Sequence, residues 1–145
     1  MKRLLVVNGP NLNLLGRREP DVYGQASLSD LERWVRDRAS GLGCEVEWFQ
    51  SNHEGAILDF LQERAPGTAG VVLNGGALTH SSYALYDCLR ALTVPVVEVH
   101  ISNIHARPEE FRHRSVTAPA AVGVIAGLGP RGYLFAMEYL IDRDE

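Results

Sequence analysis

Short apolar runs punctuate the chain, and between them the hydrophobic spacing changes from strand-like to helix-like. Leu4-Leu5-Val6-Val7, Gly70-Val71-Val72-Leu73 and residues 94–100 are rich in β-branched residues and nearly continuous in their apolarity, as strands buried on both faces must be. Residues 45–50 alternate as a further strand, and residues 121–126 form the last. In between, Leu31, Trp34, Val35 and Ala39 mark one face of a helix, with Ser29-Asp30-Leu31-Glu32 read as its capping box and Gly43 as its close. Ile57, Leu58, Phe60 and Leu61 suit a second helix that stops before Pro66-Gly67. Residues 82–92 predict a third, with Leu85, Cys88, Leu89 and Leu92 inward, and a terminal helix carries Leu134, Met137, Tyr139, Leu140 and Ile141.

Strand and helix patterns that alternate with short joins imply a parallel sheet, right-handed crossovers and helices on both faces. The expected fold is α/β, a flavodoxin-like three-layer sandwich with a five-stranded parallel sheet of order 2-1-3-4-5, forming a single domain over residues 1–145. In such sheets ligands bind beyond the carboxyl ends of the strands. Three strands here run into polar loops: Asn8-Gly9-Pro10-Asn11, Asn74-Gly75-Gly76 followed by Thr79-His80-Ser81, and His100-Ile101-Ser102-Asn103-Ile104-His105. The long polar segment at residues 12–26 reads as a mobile lid over that rim.

Composition narrows the field. A chain of 145 residues that is 46% hydrophobic is the size of one globular domain with a real core. A net charge of -4 argues against nonspecific nucleic-acid binding, which needs a basic face, but leaves room for a small anion held by a local arginine cluster. No apolar run approaches the roughly 18 residues of a membrane span, and Cys44 and Cys88 lack metal or redox spacing, so a cytoplasmic protein with reduced thiols is expected.

Several motifs invite chemistry and each has a plain alternative. Gly127-Leu128-Gly129-Pro130-Arg131-Gly132 matches the dinucleotide fingerprint, but that motif needs a further strand with an acidic residue about 20 residues on, so a glycine-rich strand-to-helix turn is the better account. His100, His105 and His113 fit no common zinc spacing, and Arg107, Arg112 and Arg114 would repel a cation, so no metal is expected. His100 alone is a polar residue at a strand end. Glu98 changes that reading, because residues i and i+2 of a strand share a face and the carboxylate can orient the imidazole. Arg17, Arg18 and Tyr23 read either as solvated surface or as a guanidinium brought beside a phenol, which favours the phenolate and makes it a base. Asn11, Asn74 and His80 are donors at the same rim, and turn chemistry is the alternative for the asparagines, most strongly for Asn8.

Taken in order along the chain, Asn8-Gly9-Pro10-Asn11-Leu12, Leu15-Gly16-Arg17-Arg18-Glu19-Pro20, Tyr23-Gly24, Gln50-Ser51-Asn52, Leu73-Asn74, Leu78-Thr79-His80, Glu98-Val99-His100-Ile101-Ser102-Asn103, Phe111-Arg112 and Gly127-Leu128-Gly129 resemble the type II 3-dehydroquinate dehydratases. The resemblance implies reversible dehydration of 3-dehydroquinate to 3-dehydroshikimate through an enolate, the third step of the shikimate pathway, with no cofactor. It also implies a homo-oligomer in which trimers assemble to a dodecamer. Matching positions would make Tyr23 the base and His100 the acid. Arg18 would lower the Tyr23 pKa, and Asn11 would help to hold the enolate oxygen. Asn74, His80 and Arg112 would bind ring hydroxyls, Ile101 and Ser102 the carboxylate, and Asp87 would reach a neighbouring subunit's site, with Glu98 and Arg107 in support. Two readings compete: the same reaction used in quinate catabolism, and a flavodoxin-like flavin or phosphate-binding module, for which Leu12, Leu14 and Leu15 make a poor anion cradle.

The chain departs from the family's common pattern at two places. Gly75 stands where Ala or Pro is usual, and Pro108-Glu109-Glu110 between Arg107 and Phe111 is one residue longer than usual. Pro108 is expected to absorb the extra residue by opening a short helix, leaving both Arg107 and Arg112 near the site.

Overall fold

The computed structural model describes residues 1–17 and 26–143. Its centre is one sheet of order β2-β1-β3-β4-β5, all pairs parallel, built from β1 (Lys2–Asn8), β2 (Cys44–Gln50), β3 (Gly70–Asn74), β4 (Val96–His100) and β5 (Gly123–Ala126). This is the flavodoxin-like arrangement that the alternating pattern predicts. The chain between the strands folds as α1 (Leu28–Gly41), α2 (Glu54–Arg64), α3 (Leu78–Ser81), α4 (Tyr83–Ala91) and, after β5, α5 (Arg131–Asp142).

Alternate residues of β1 feed two separate cores. Leu4 and Val6 join Leu31, Val35 and Ala39 of α1 and Tyr133, Ala136, Met137 and Leu140 of α5. Leu5 and Val7 join Ile57 and Leu61 of α2 and Leu85, Cys88 and Leu89 of α4. The sheet is thus covered on both faces, which explains why its central strands carry no polar face. Register then sets the functional rim: Asn8 pairs with Gln50 on one side and Asn74 on the other, so three polar strand ends lie level.

The differences from the sequence reading have local causes. The capping box of α1 is made by Ser27 and Asp30, not Ser29 and Glu32: the Ser27 hydroxyl accepts from the Asp30 amide at 3.1 Å and the Asp30 carboxylate accepts from the Ser27 amide at 3.0 Å. Both serines satisfy the motif's first position, and an aspartate in place of glutamate disguised the true one. The helix predicted over residues 82–92 is α4, capped by Ser82, whose hydroxyl accepts from the Leu85 amide at 2.9 Å, and a separate short turn, α3, carries Thr79 and His80 before it. β4 starts at Val96 because Pro95 has no amide for the ladder, and β5 is short because residues 118–120 form a 3-10 turn around Pro119. Within α5, Tyr139 is exposed and Tyr133 is wholly buried.

The glycine-rich turn after β5 is a packing device. The Gly127 amide donates to the His100 carbonyl at 3.2 Å and the Gly129 amide to the Ile101 carbonyl at 3.1 Å. Gly127 has a φ of +88°, and a Cβ there would lie 3.0 Å from the Asn103 side chain. The loop after β4 is therefore held against the turn after β5.

Candidate active site

Beyond the ends of β1, β3 and β4 lies a polar cleft whose walls include Asn11, Asn74, His80, His100, Ser102, Arg107 and Arg112. A second hollow, lined by Leu15, Leu31, Trp34, Ile101 and Pro130, is largely apolar, and among the described residues of its lining the ionisable group is Asp30, engaged in the α1 cap. The polar cleft gathers two histidines and two arginines.

Two loops interlock to shape its floor. A Cβ on Gly9 would lie 2.2 Å from the Gly75 carbonyl oxygen, and one on Gly76 would lie 2.9 Å from the Pro10 carbonyl oxygen, so glycine is required for this approach. The contact carries the chain to Asn11, which has a left-handed backbone with φ of +69° and donates its amide to the Asn52 side chain at 2.9 Å. Asparagine is one of the few residues that adopt this conformation readily. It leaves the Asn11 side chain on the cleft wall.

On β4, Glu98 and His100 meet as their two-residue spacing predicts. His100 Nε2 lies 2.8 Å from a Glu98 oxygen, and both side chains are buried. The other Glu98 oxygen accepts from the Thr117 hydroxyl at 2.5 Å and from the Ser115 hydroxyl at 3.1 Å. Burial opposes the charge of this carboxylate, but the hydrogen bonds from His100, Thr117 and Ser115 outweigh it and hold its pKa below the usual value. An ionised Glu98 can only accept, so Nε2 of His100 carries its hydrogen, and Nδ1 is the ring nitrogen not engaged by Glu98.

This carboxylate also ties stability to pH. Its folded pKa lies below the unfolded value of about 4.5, so its stabilising effect is complete above that pH and is lost as pH falls through the folded pKa. Glu98→Gln is expected to flatten that loss: urea midpoints of the native protein should fall more steeply below pH 4.5 than those of the variant. Parallel curves would show that Glu98 does not carry the dependence.

His80 faces His100 with ring centroids 6.3 Å apart. Its Nδ1 lies 2.7 Å from the Arg114 carbonyl oxygen and so must donate to it. Burial is the main influence on this ring and pushes its pKa below the usual histidine value; the Arg114 carbonyl opposes the shift, and the charges of His100 and Arg112 add to it. A neutral His80 with its hydrogen on Nδ1 offers Nε2 as an acceptor.

The loop after β4 brings both arginines to the cleft. Arg107 is buried and donates to the Ser102 hydroxyl at 3.3 Å. Glu109 sits between the guanidinium groups, 3.9 Å from Arg107 and 3.4 Å from Arg112. The extra residue is not absorbed by a helix opening at Pro108. The helical turn is a 3-10 turn at Glu110–His113, and Glu109 remains extended before it. The loop is also held by His113, whose Nε2 donates to the Arg107 carbonyl at 2.6 Å, so that His113 and His100 each commit a ring nitrogen to the protein itself. Among the described residues no cluster of three His, Cys, Asp or Glu side chains is arranged to hold a metal ion.

Asp87 stands on the exposed face of α4 and is not part of the cleft wall. Arg18 and Tyr23 lie outside the described residues, as does much of the segment read as a lid; its opening residues, Leu12–Leu14, form a 3-10 turn. The sequence reading missed Tyr133, Asn8, Ser115 and Thr117. Tyr133 donates its hydroxyl to Asn8 Oδ1 at 2.7 Å and accepts from Asn74 Nδ2 at 3.0 Å. Burial pushes its pKa upward, so the phenol keeps its proton. A tyrosine in a helical core stripe gives no sign of such a bond.

A flavodoxin-like sheet that carries a buried carboxylate–imidazole pair and two arginines at its carboxyl rim defines the class as an acid–base enzyme. Comparison with known proteins gives its family. Residues 2–141 match the profile of the family described as dehydroquinase class II, and the chain belongs to that family. It is 56% identical over 142 residues to the 3-dehydroquinate dehydratase of Halothermothrix orenii, covering 98% of this chain and 95% of that one. It is 55% identical over 137 residues to 3-dehydroquinate dehydratase 1 of Agrobacterium fabrum, covering 94% of each. Among solved structures, the type II dehydroquinase of Butyrivibrio crossotus superposes with a TM-score of 0.93 at 48% identity, over 96% of this chain and 97% of that one.

Proposed function

We propose that this protein catalyses the reversible dehydration of 3-dehydroquinate to 3-dehydroshikimate and water, the third step of the shikimate route to chorismate and the aromatic amino acids. The observation that carries the reading is the Glu98–His100 pair at 2.8 Å on a cleft wall shared with Arg107 and Arg112. It supports a proton carrier beside cations suited to a polyhydroxylated carboxylate. Incubating the pure protein with 3-dehydroquinate tests the reaction: absorbance of the conjugated product should rise, and its absence would refute the assignment.

In this reading Tyr23, assisted by Arg18, removes the proton from the carbon beside the ketone, and charge passes to oxygen, where Asn11 helps to hold it. His100 then gives a proton to the departing hydroxyl, which leaves as water. The tyrosine's proton returns to solvent and His100 is reprotonated, so the enzyme is restored. His80 Nε2 accepts from a ring hydroxyl, Asn74 and Arg112 donate to others, and the chain at Ile101 and Ser102 receives the carboxylate. Arg107 supports Ser102. The chemistry draws on acid and base side chains alone, with no metal or organic cofactor, in a cytoplasmic enzyme.

Asp87 fits this scheme across a subunit boundary. We assign the protein to trimers that assemble further to a dodecamer, with the exposed Asp87 of one subunit completing the cleft of the next. Sedimentation at assay concentration should give a multiple of three chains, and Asp87→Ala should weaken substrate binding. A fully active monomer would exclude the arrangement.

A further inference from the structure

A directional chain of hydrogen bonds runs beneath the cleft and crosses four elements. Asn8 Nδ2 donates to the Phe49 carbonyl of β2 at 3.4 Å, which leaves Asn8 Oδ1 to accept. Tyr133 of α5 donates its hydroxyl to that oxygen at 2.7 Å, so the same hydroxyl can only accept from its other neighbour. That neighbour is Asn74 Nδ2, 3.0 Å away, and Asn74 Oδ1 accepts from the Gly76 amide at 3.3 Å. Each step dictates the polarity of the next. Tyr133 is wholly buried, and Asn8 and Asn74 are nearly so.

We infer that Tyr133 is a positioning residue of the active site: its hydroxyl, oriented by Asn8, fixes which way round the Asn74 amide sits, so that Asn74 presents its second N–H and not its carbonyl oxygen to the substrate. The inference rests on the reading of Asn74 as a substrate-binding residue. An asparagine amide without such a lock can turn over and exchange donor for acceptor at little geometric cost, because its two ends have nearly the same shape. The Gly76 amide alone holds the carbonyl end at 3.3 Å, a weaker restraint than the 3.0 Å bond to the tyrosine. Tyr133 touches the substrate nowhere in this account. It acts through Asn74, from a helix that begins 57 residues later in the chain (131 against 74).

Tyr133→Phe keeps the ring and removes the hydroxyl, and a double-mutant cycle with Asn74→Ala separates positioning from general structural support. In the native background Tyr133→Phe should lower kcat/KM by about tenfold, the size of one well-placed hydrogen bond. In the Asn74→Ala background the same substitution should change kcat/KM by less than about twofold, since nothing is left to orient. An equal loss in both backgrounds would show a merely structural role and overturn the inference, as would Tyr133→Phe with native kcat/KM beside a damaged Asn74→Ala. Native kcat/KM in Asn74→Ala would instead remove the reading of Asn74, and the inference with it. If Tyr133→Phe does not fold, neutron diffraction from crystals of the unsubstituted enzyme with a substrate analogue decides: a deuterium of Asn74 Nδ2 directed at the ligand supports the claim, and Oδ1 directed there overturns it.

Discussion

Tyr23→Phe should lower turnover by about 10² to 10⁴-fold, the usual contribution of a general base, while leaving the protein folded. A free phenol has a pKa of about 10 and is a poor base at neutral pH, so its use requires a neighbouring cation to favour the phenolate. Arg18, five residues before it, is the group assigned that task. The loss should therefore fall on kcat, and Arg18→Ala should move the limb of the pH profile that belongs to the phenol toward higher pH. Isotope exchange gives the sharpest check. In deuterated solvent the native enzyme should exchange the proton beside the ketone, and Tyr23→Phe should not. Near-native turnover in Tyr23→Phe would assign the base elsewhere.

His100→Ala should cost as much turnover but fail at a different step. In the proposed scheme the hydroxyl loses its acid with the imidazole, whereas the proton beside the ketone is taken by Tyr23 in a separate step. The variant is expected to retain exchange at the carbon beside the ketone while product formation falls by about 10² to 10⁴-fold. This contrast separates the acid from the base more cleanly than either rate alone. A stability cost accompanies it. Glu98 is buried and would keep only Ser115 and Thr117 as donors, and a buried acceptor that loses a partner costs about 1–3 kcal/mol. Urea unfolding of the variant measures that cost, and loss of exchange together with product would remove the division of labour between the two residues.

The parts of this site that could be read along the chain are those governed by local periodicity. Apolar β-branched runs mark the central strands because both faces of the sheet are covered, and their polar ends mark the rim because every strand points the same way. The Glu98–His100 pair follows from the two-residue period of a strand. Where two local signals competed, sequence chose badly. Ser27 and Ser29 both suit a capping box, and Pro108 suits a first helical position although the turn begins at Glu110.

What tertiary structure decided is which distant groups meet. Tyr133 and Asn8 are 125 residues apart in sequence, and Thr117 and Glu98 are 19 apart, yet each pair forms a hydrogen bond in the interior. No pattern of hydrophobicity carries that information, because a buried tyrosine and a buried leucine occupy the same helical stripe. Only the crossover connections, by setting α5 against β1 and β3 and the loop at residue 117 beneath β4, bring the hydroxyls to acceptors that would otherwise be left unpaired. Sequence periodicity determined the sheet, its covered faces and the polar rim, since these depend on the spacing of side chains within one element. The orientation of Asn74, the charge of Glu98 and the joint placement of Arg107 and Arg112 were decided by tertiary structure, since each depends on the distance between elements that folding alone brings together.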